Sequence, residues 1–302
     1  MLDKGDSVGL VACSDGFPND NHEVIDEVEN SLYDMGYKAV IGNIYCTKEN
    51  RTLSSRDRAD VFNEMVRNPE IKVVFDISGG DSANEILDYV DYDMLEENGK
   101  PVFGYSDLTT LLNAIYCKTG ICTYLYQIRN IITGYGERQK ADLEMVLSGE
   151  SDDLYDIDYE FVRGEEMKGV LIGGNIRCFL KLAGTSYMPS FRHKVLFLES
   201  NSGRENRIRS YFTQLKQMGV FNEVNGVLLG TFTAMEAHAC SPDITALVKE
   251  AAGTKITIAK TQEIGHGNDA KAIRIGEKIY CCGDEACRSV VTDAERRQLE
   301  TR

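Results

Sequence analysis

The sequence predicts an α/β protein, a doubly wound parallel sheet followed by a second, smaller β-rich α/β domain. Apolar runs of strand length alternate with segments of helical period through roughly the first 120 residues, the pattern of repeated β-α units. At 302 residues the chain exceeds what one core usually holds. An acid-rich stretch, "GESDDLYDIDYEFVRGEE", also interrupts the rhythm near the middle. Strands separated by helices pair in parallel, because each helical crossover carries the chain back to the end of the sheet where it started.

The first strand is "SVGLVA", followed by "NHEVIDEVENSLYDMG", in which Val24, Ile25, Val28, Leu32 and Met35 form a helical stripe closed by Gly36. "KAVIGNI" is the second strand, and "SSRDRADVFNEMVRN" keeps helical spacing at Ala59, Phe62 and Val66. "IKVVFDIS" precedes one helical segment, "SANEILDYVDYDMLEEN", and "PVFGYS" precedes "LTTLLNAIYCKTG". Residues 151–166 read as a linker between a domain of residues 1–150 and one of residues 167–302. In the latter, "KGVLIGGN" and "KVLFLES" are strands, "RENRIRSYFTQLKQMGV" is an amphipathic helix and "NGVLLGTF" is a strand. "SPDITALVKEAAG" is a helix opened by its Ser-Pro pair, and "KITIAKT", "KAIRIG" and "KIYCCG" are short strands.

Composition narrows the function classes. Lys+Arg 33 against Asp+Glu 48 gives a formal charge of −15, which repels phosphate backbones and anionic lipid, so neither nucleic acid nor a membrane is expected as a partner. The amino-terminal apolar run is too short for a secretory core or a membrane span, and the expectation is a cytoplasmic protein. The cysteines mostly stand singly in apolar runs, as buried thiols do. The cluster Cys281, Cys282 and Cys287 lacks paired CxxC spacing and a nearby histidine, so no metal is expected.

In parallel sheets chemistry gathers where strands end and helices begin. Two such loops stand out, "DISGGDSANE" and "GYSDLT". Ser106 in the second is either a helix cap, the commonest use of such a residue, or a hydroxyl held out of the sheet beside a helix-start amide, which suits acyl transfer. Gly79 and Gly80 allow close backbone approach and offer amides for an oxyanion. A serine nucleophile needs a base and an orienting acid. Of the four histidines, His266 lies between two glycines in a loop after a strand. Glu199 ends the strongly apolar "KVLFLE", where a carboxylate needs a partner, either Arg204 or Arg207 or a histidine.

Taken together, "GDSVGLVACSDG", "ISGGDSANEILDYVDY" with "KPVFGYSDLTTLLNAIYCKTG", "LIGGNIRCFLKLAGTSYMP…KVLFLES" and "QEIGHGNDAKAIRIG" resemble, in order and over nearly the whole chain, the LD-carboxypeptidase family of serine peptidases. That family also contains the microcin C self-immunity proteins. The resemblance implies a Ser-His-Glu triad of Ser106, His266 and Glu199, with an oxyanion hole from the amides of Asp107 and of Gly80 or Gly79. It further implies a Rossmann-like first domain, an active site between the domains, a homodimer and no cofactor. The substrate expected is a murein tetrapeptide cut before its terminal D-residue, or alternatively a peptidyl or aminoacyl nucleotide. Arg129 and Arg204 are the candidates for a substrate carboxylate. The chain departs from the family pattern at Cys13 and Arg274, where many members have proline, and in "TYLYQ", residues 123 to 127.

Overall fold

The computed structural model describes residues 2–17, 21–46, 52–283 and 291–292. The first domain runs β1 (Ser7–Val11), α1 (His22–Asp34), β2 (Lys38–Ile41), α2 (Ser55–Arg67), β3 (Ile71–Asp76), α3 (Tyr92–Asn98), β4 (Val102–Gly104), α4 (Thr109–Thr119), β5 (Thr123–Leu125) and α5 (Gly136–Ser148). Its strands lie in the order β2-β1-β3-β4-β5, all parallel. Consecutive residues of a strand face opposite sides, and β3 shows the result. Val73 and Phe75 join Ile25, Val28 and Leu32 of α1 and Leu143 and Leu147 of α5, whereas Val74 joins the α2, α3 and α4 side. Both faces are thus covered by helices, which is why β3 is apolar almost throughout.

The second domain continues with β6 (Glu160–Arg163), β7 (Glu166–Asn175), α6 (Ile176–Leu180), β8 (Lys194–Ser200), α7 (Glu205–Gln217), β9 (Gly226–Phe232), α8 (Thr233–Ala237), α9 (Ile244–Ala252), β10 (Thr257–Lys260), β11 (Ile273–Ile275), β12 (Lys278–Cys282) and β13 (Val291–Thr292). Its sheet has the order β13-β12-β7-β8-β9-β10-β6, parallel from β7 to β10 and antiparallel at both margins. The larger apolar cluster runs through both domains without a break, joining Leu111 and Ile115 of α4 to Leu171 and Leu196 of the second sheet.

Several elements differ from the sequence reading. Part of the expected linker is strand β6, paired with β10. The strand in "KAIRIG", β11, joins the first sheet, where it pairs antiparallel with β5 at the margin, while the Gly276 amide at its end still donates to the Leu171 carbonyl of β7 at 2.8 Å. The segment read as one helix after β3 is a 3-10 helix (Ala83–Tyr89) and then α3, because Asp91 breaks the run and caps α3 by accepting from the Met94 amide at 3.0 Å. The cap of α9 is likewise Asp243, accepting from the Ala246 amide at 2.8 Å, and not the Ser-Pro pair before it. Of the cysteine cluster, Cys281 is buried and Cys282 half-buried on β12, and Cys287 lies outside the described residues. Among the described residues no helix is long and apolar enough to cross a membrane, and no group of three or more His, Cys, Asp or Glu is arranged to hold a metal.

Candidate active site

The turn between β4 and α4 carries Ser106 at φ 54°, a left-handed conformation that a non-glycine residue rarely adopts. Strain of this kind persists only where the surroundings fix it. Asp107, fully buried, does the fixing. Its Oδ2 accepts from Ser14 Oγ at 2.7 Å and from the Ala83 amide at 2.8 Å, and its Oδ1 accepts from Lys181 Nζ. Neither Ser106 nor Asp107 supplies a side-chain cap to the helix that follows.

Glu199, completely buried, is brought in from the second sheet. Its strand β8 pairs in parallel with β7 so that Asn175 and Glu199 are direct partners in register. Asn175 Nδ2 therefore donates to Glu199 Oε1 at 3.0 Å, and the other carboxylate oxygen, Oε2, lies 2.7 Å from His266 Nδ1. These are the partners of the buried carboxylate; Arg204 and Arg207 are not. The far ring nitrogen of His266, Nε2, is buried with no hydrogen-bond partner among the described residues. The imidazole packs edge-on against Tyr105, the residue before Ser106, with ring centroids 4.9 Å apart. Burial and the neighbouring Glu199 charge push the Tyr105 hydroxyl well up, so it stays protonated.

The domain contact that sets this geometry uses α4. Asn113 Nδ2 donates to the Gly173 carbonyl at 2.8 Å and Asn113 Oδ1 accepts from the Gly173 amide at 2.9 Å, while Thr109 Oγ1 accepts from the Asn175 amide at 3.0 Å. Gly174, at φ +139°, is needed here, since a Cβ would come within 2.6 Å of Thr109 Oγ1. The helix that begins at the serine turn is thereby keyed to the strand whose end holds Asn175 beside Glu199.

A cavity of about 490 Å³ opens beside His266, lined among others by Tyr105, Gln127, Arg129, Asn268 and, from α1, Val24 and Glu27. Arg129 is steadied by Gln127, whose Oε1 accepts from Arg129 Nε at 3.2 Å, and its guanidinium lies 5.6 Å from the Phe17 ring centre. It has no carboxylate partner within ion-pair distance among the described residues. Burial pulls its pKa down, and the charge of Asp76 partly offsets this. Arg204 is different: it is exposed ahead of α7 and is not among the residues lining this cavity. Gly79 and Gly80 lie half-buried in the loop after β3, and Arg177 Nη2 donates to the Gly80 carbonyl at 3.1 Å. A second, larger cleft of about 1160 Å³ lies between β6 and β12, its lining including the acids Glu160, Glu165 and Glu166 beside Tyr159, Phe161 and Lys260.

Two family departures have local consequences. The Cys13 amide donates to Asp76 Oδ2 at 2.6 Å, a bond proline cannot make, and so helps satisfy a buried carboxylate whose pKa burial raises. Arg274 pairs with Asp152 and stacks 3.9 Å over Tyr155, holding β11 to the segment that follows α5. The sequence reading missed Asn175, Ser14 and Lys181. Asn175 carried a usable signal, a polar residue ending an apolar, glycine-paired strand, but it reads equally as the cap of α6, a role it also fills by accepting from the Cys178 amide at 3.4 Å.

The strained turn at Ser106 and the carboxylate-backed His266, whose ring packs against Tyr105, come together where the two α/β domains meet. Comparison with known proteins assigns the family. The amino-terminal domain model of the LD-carboxypeptidases matches residues 8–126 and the carboxy-terminal domain model matches residues 168–280. The chain belongs to the LD-carboxypeptidase family and is a serine-type carboxypeptidase. The microcin C7 self-immunity protein MccF of Escherichia coli is 30% identical over 234 residues, 66% of this chain and 67% of that one. The murein tetrapeptide carboxypeptidase of Pseudomonas aeruginosa is 23% identical over 231 residues, 72% of this chain and 74% of that one. A solved structure of MccF in complex with glutamyl sulfamoyl guanosine superposes with a TM-score of 0.85 at 22% identity, covering 97% of both chains, a likeness of fold.

Proposed function

We propose that the protein hydrolyses the amide before the C-terminal D-amino acid of murein tetrapeptides, using Ser106, His266 and Glu199 as a triad. The observation that carries the reading is the 2.7 Å contact of His266 Nδ1 with the buried Glu199, which leaves Nε2 unpartnered beside the serine turn. His266 Nε2 takes the Ser106 proton as Oγ attacks the carbonyl carbon. Glu199 holds the ring in the tautomer with the proton on Nδ1 and stabilises the imidazolium that forms. The amides of Asp107 and Gly80 receive the oxyanion, with Gly79 the alternative donor in that loop. His266 then gives its proton to the departing amine, the C–N bond breaks, and an acyl-Ser106 ester remains. Water, deprotonated by His266, cleaves that ester and restores the free serine.

Arg129, which has no carboxylate partner among the described residues, lines the cavity and supports a substrate with a free terminal carboxylate, which would accept a charge-assisted bond there. A second reading keeps the triad and changes the substrate to a peptidyl or aminoacyl nucleotide, favoured by the 30% identity with the E. coli self-immunity protein. Digestion of purified tetrapeptide and of a peptidyl-nucleotide conjugate side by side, with mass detection, separates the two. Release of D-alanine with an intact conjugate supports the first reading; cleavage of the conjugate alone replaces it with the second.

A further inference from the structure

The nucleophile turn and the glycine loop both belong to the first domain, yet each is held by a cation from the second. Lys181, at the end of α6, extends Nζ to the Asp107 carboxylate and to the Asp81 carbonyl, the latter at 2.6 Å. Arg177, on the same helix, donates to the Gly80 carbonyl and pairs with the Asp81 carboxylate. From the other side Asp15 Oδ1 accepts from the Asp81 amide at 3.1 Å and from Ser82 Oγ at 2.6 Å. The planar peptide unit after Gly80 is thus gripped at its oxygen by Arg177 and at its N–H by Asp15, and the unit before it, which carries the Gly80 N–H, is held at the Gly79 oxygen by the Asp15 amide at 3.4 Å, so Arg177 acts on the Gly80 donor through the adjoining peptide. The peptide before Asp107 is gripped through the buried Asp107 carboxylate, one of whose three donors is Lys181.

We infer that Lys181 and Arg177 are positioning residues, a clamp by which the second domain aims the two oxyanion amides of the first. The inference rests on the triad reading above, in which the amides of Asp107 and Gly80 receive the oxyanion. Docking of the domains does not need the cations, because the shared apolar core and the Asn113–Gly173 and Thr109–Asn175 bonds already join them. What the cations contribute is direction. An oxyanion donor acts only if it points at the oxygen as charge develops, so a small rotation of either peptide lowers the rate without altering ground-state affinity. The clamp also makes the oxyanion site depend on α6 following directly from Asn175, the residue that supports Glu199. One short segment, 175 to 181, then aligns both the base and the oxyanion donors.

The test is Lys181→Met, with Lys181→Arg as the conservative variant. Because Lys181→Met leaves the Asp107 carboxylate buried with one donor fewer, the double variant Lys181→Met/Asp107→Asn is made alongside to relieve the charge if the single one does not fold. Steady-state turnover of tetrapeptide and the rate of phosphonylation by a fluorophosphonate, in which serine Oγ displaces fluoride from phosphorus, are measured, since the phosphonyl oxygen occupies the same oxyanion position. The clamp predicts a fall in kcat of about 10- to 100-fold with KM within about threefold, a parallel fall in the fluorophosphonate rate, and substantial recovery in Lys181→Arg. A lower Tm with wild-type kcat, or a raised KM with unchanged kcat, overturns it. Ser106→Ala keeps the two readings apart: turnover in that variant defeats the triad itself, whereas an inactive Ser106→Ala beside a fully active Lys181→Met defeats only the clamp.

Discussion

Replacing Glu199 by glutamine exchanges one oxygen atom for an amide nitrogen at the best-defined point of the site. The carboxylate accepts from two donors, Asn175 Nδ2 at 3.0 Å and His266 Nδ1 at 2.7 Å, and it is wholly buried. An amide has one acceptor oxygen, so the glutamine side chain satisfies one donor and presents its own NH2 to the other. If the oxygen stays with Asn175, the NH2 group faces His266 Nδ1, which must then accept; the ring proton moves to Nε2, and the base is disabled. If the oxygen turns to His266, the tautomer survives but the imidazolium loses its counter-ion. A hydrogen bond to a charged group contributes about 1.5–3 kcal/mol, or roughly 10- to 150-fold in rate, which sets the smaller outcome. The tautomer error sets the larger, since the same acid-to-amide change in a serine protease triad costs about 10⁴ in kcat. The expected loss in Glu199→Gln therefore lies between about 10-fold and about 10⁴-fold, depending on which way the amide turns, followed as D-alanine release, with a cooperative thermal transition showing that the variant folds. A folded Glu199→Gln enzyme within about tenfold of wild-type kcat refutes the reasoning.

Arg129→Met is expected to lower kcat/KM on a free-carboxylate tetrapeptide by about 10- to 150-fold while leaving an amidated tetrapeptide nearly unaffected; equal losses on both contradict carboxylate binding. Gly80→Ala places a methyl group against the Asp15 carboxylate at φ +139°, and should cost about 1–3 kcal/mol in urea unfolding together with a loss of turnover. Unchanged stability and rate in that variant would mean the loop is not constrained as described. Lys100, held by the carbonyls of Met65 and Asn68, has its pKa pulled from 10.5 down to about 8, first by burial and then by the charge of Lys72. Between those values the unfolded chain keeps a proton that the folded one releases, so the urea midpoint of the wild type should rise relative to Lys100→Met as pH increases from 8 to 10.5. A gap that does not change with pH counts against a buried, titrating Lys100.

The β-α order of the first domain was legible because its signals are local: the stripe on α1, the apolar β3 and the breaks at Gly36, Gly99 and Gly120 are each contained in a dozen residues. What escaped depends on pairing at a distance. Three residues, Ile273–Ile275, form β11 in the first sheet because β5 offers an open margin, and nothing within "KAIRIG" specifies that partner. Strand β6 was hidden by its charge, since a marginal strand presents polar side chains to water. At the site, His266 and Glu199 were picked out by a short list of histidines and by a carboxylate ending an apolar strand. Their contact follows from the fold. Asn175 became visible only through the register of β7 and β8, and Lys181 only through the approach of α6 to the serine turn; as sequence it is one cation after an apolar run.

The claim that Ser106 attacks substrate is tested most directly by treating the protein with a fluorophosphonate and mapping the adduct by peptide mass. The account predicts a single covalent adduct on Ser106, formed with concurrent loss of turnover, absent in a folded Ser106→Ala variant, and slowed in Glu199→Gln in step with its kcat. An adduct on another residue, or turnover in Ser106→Ala that matches the wild type, would contradict it.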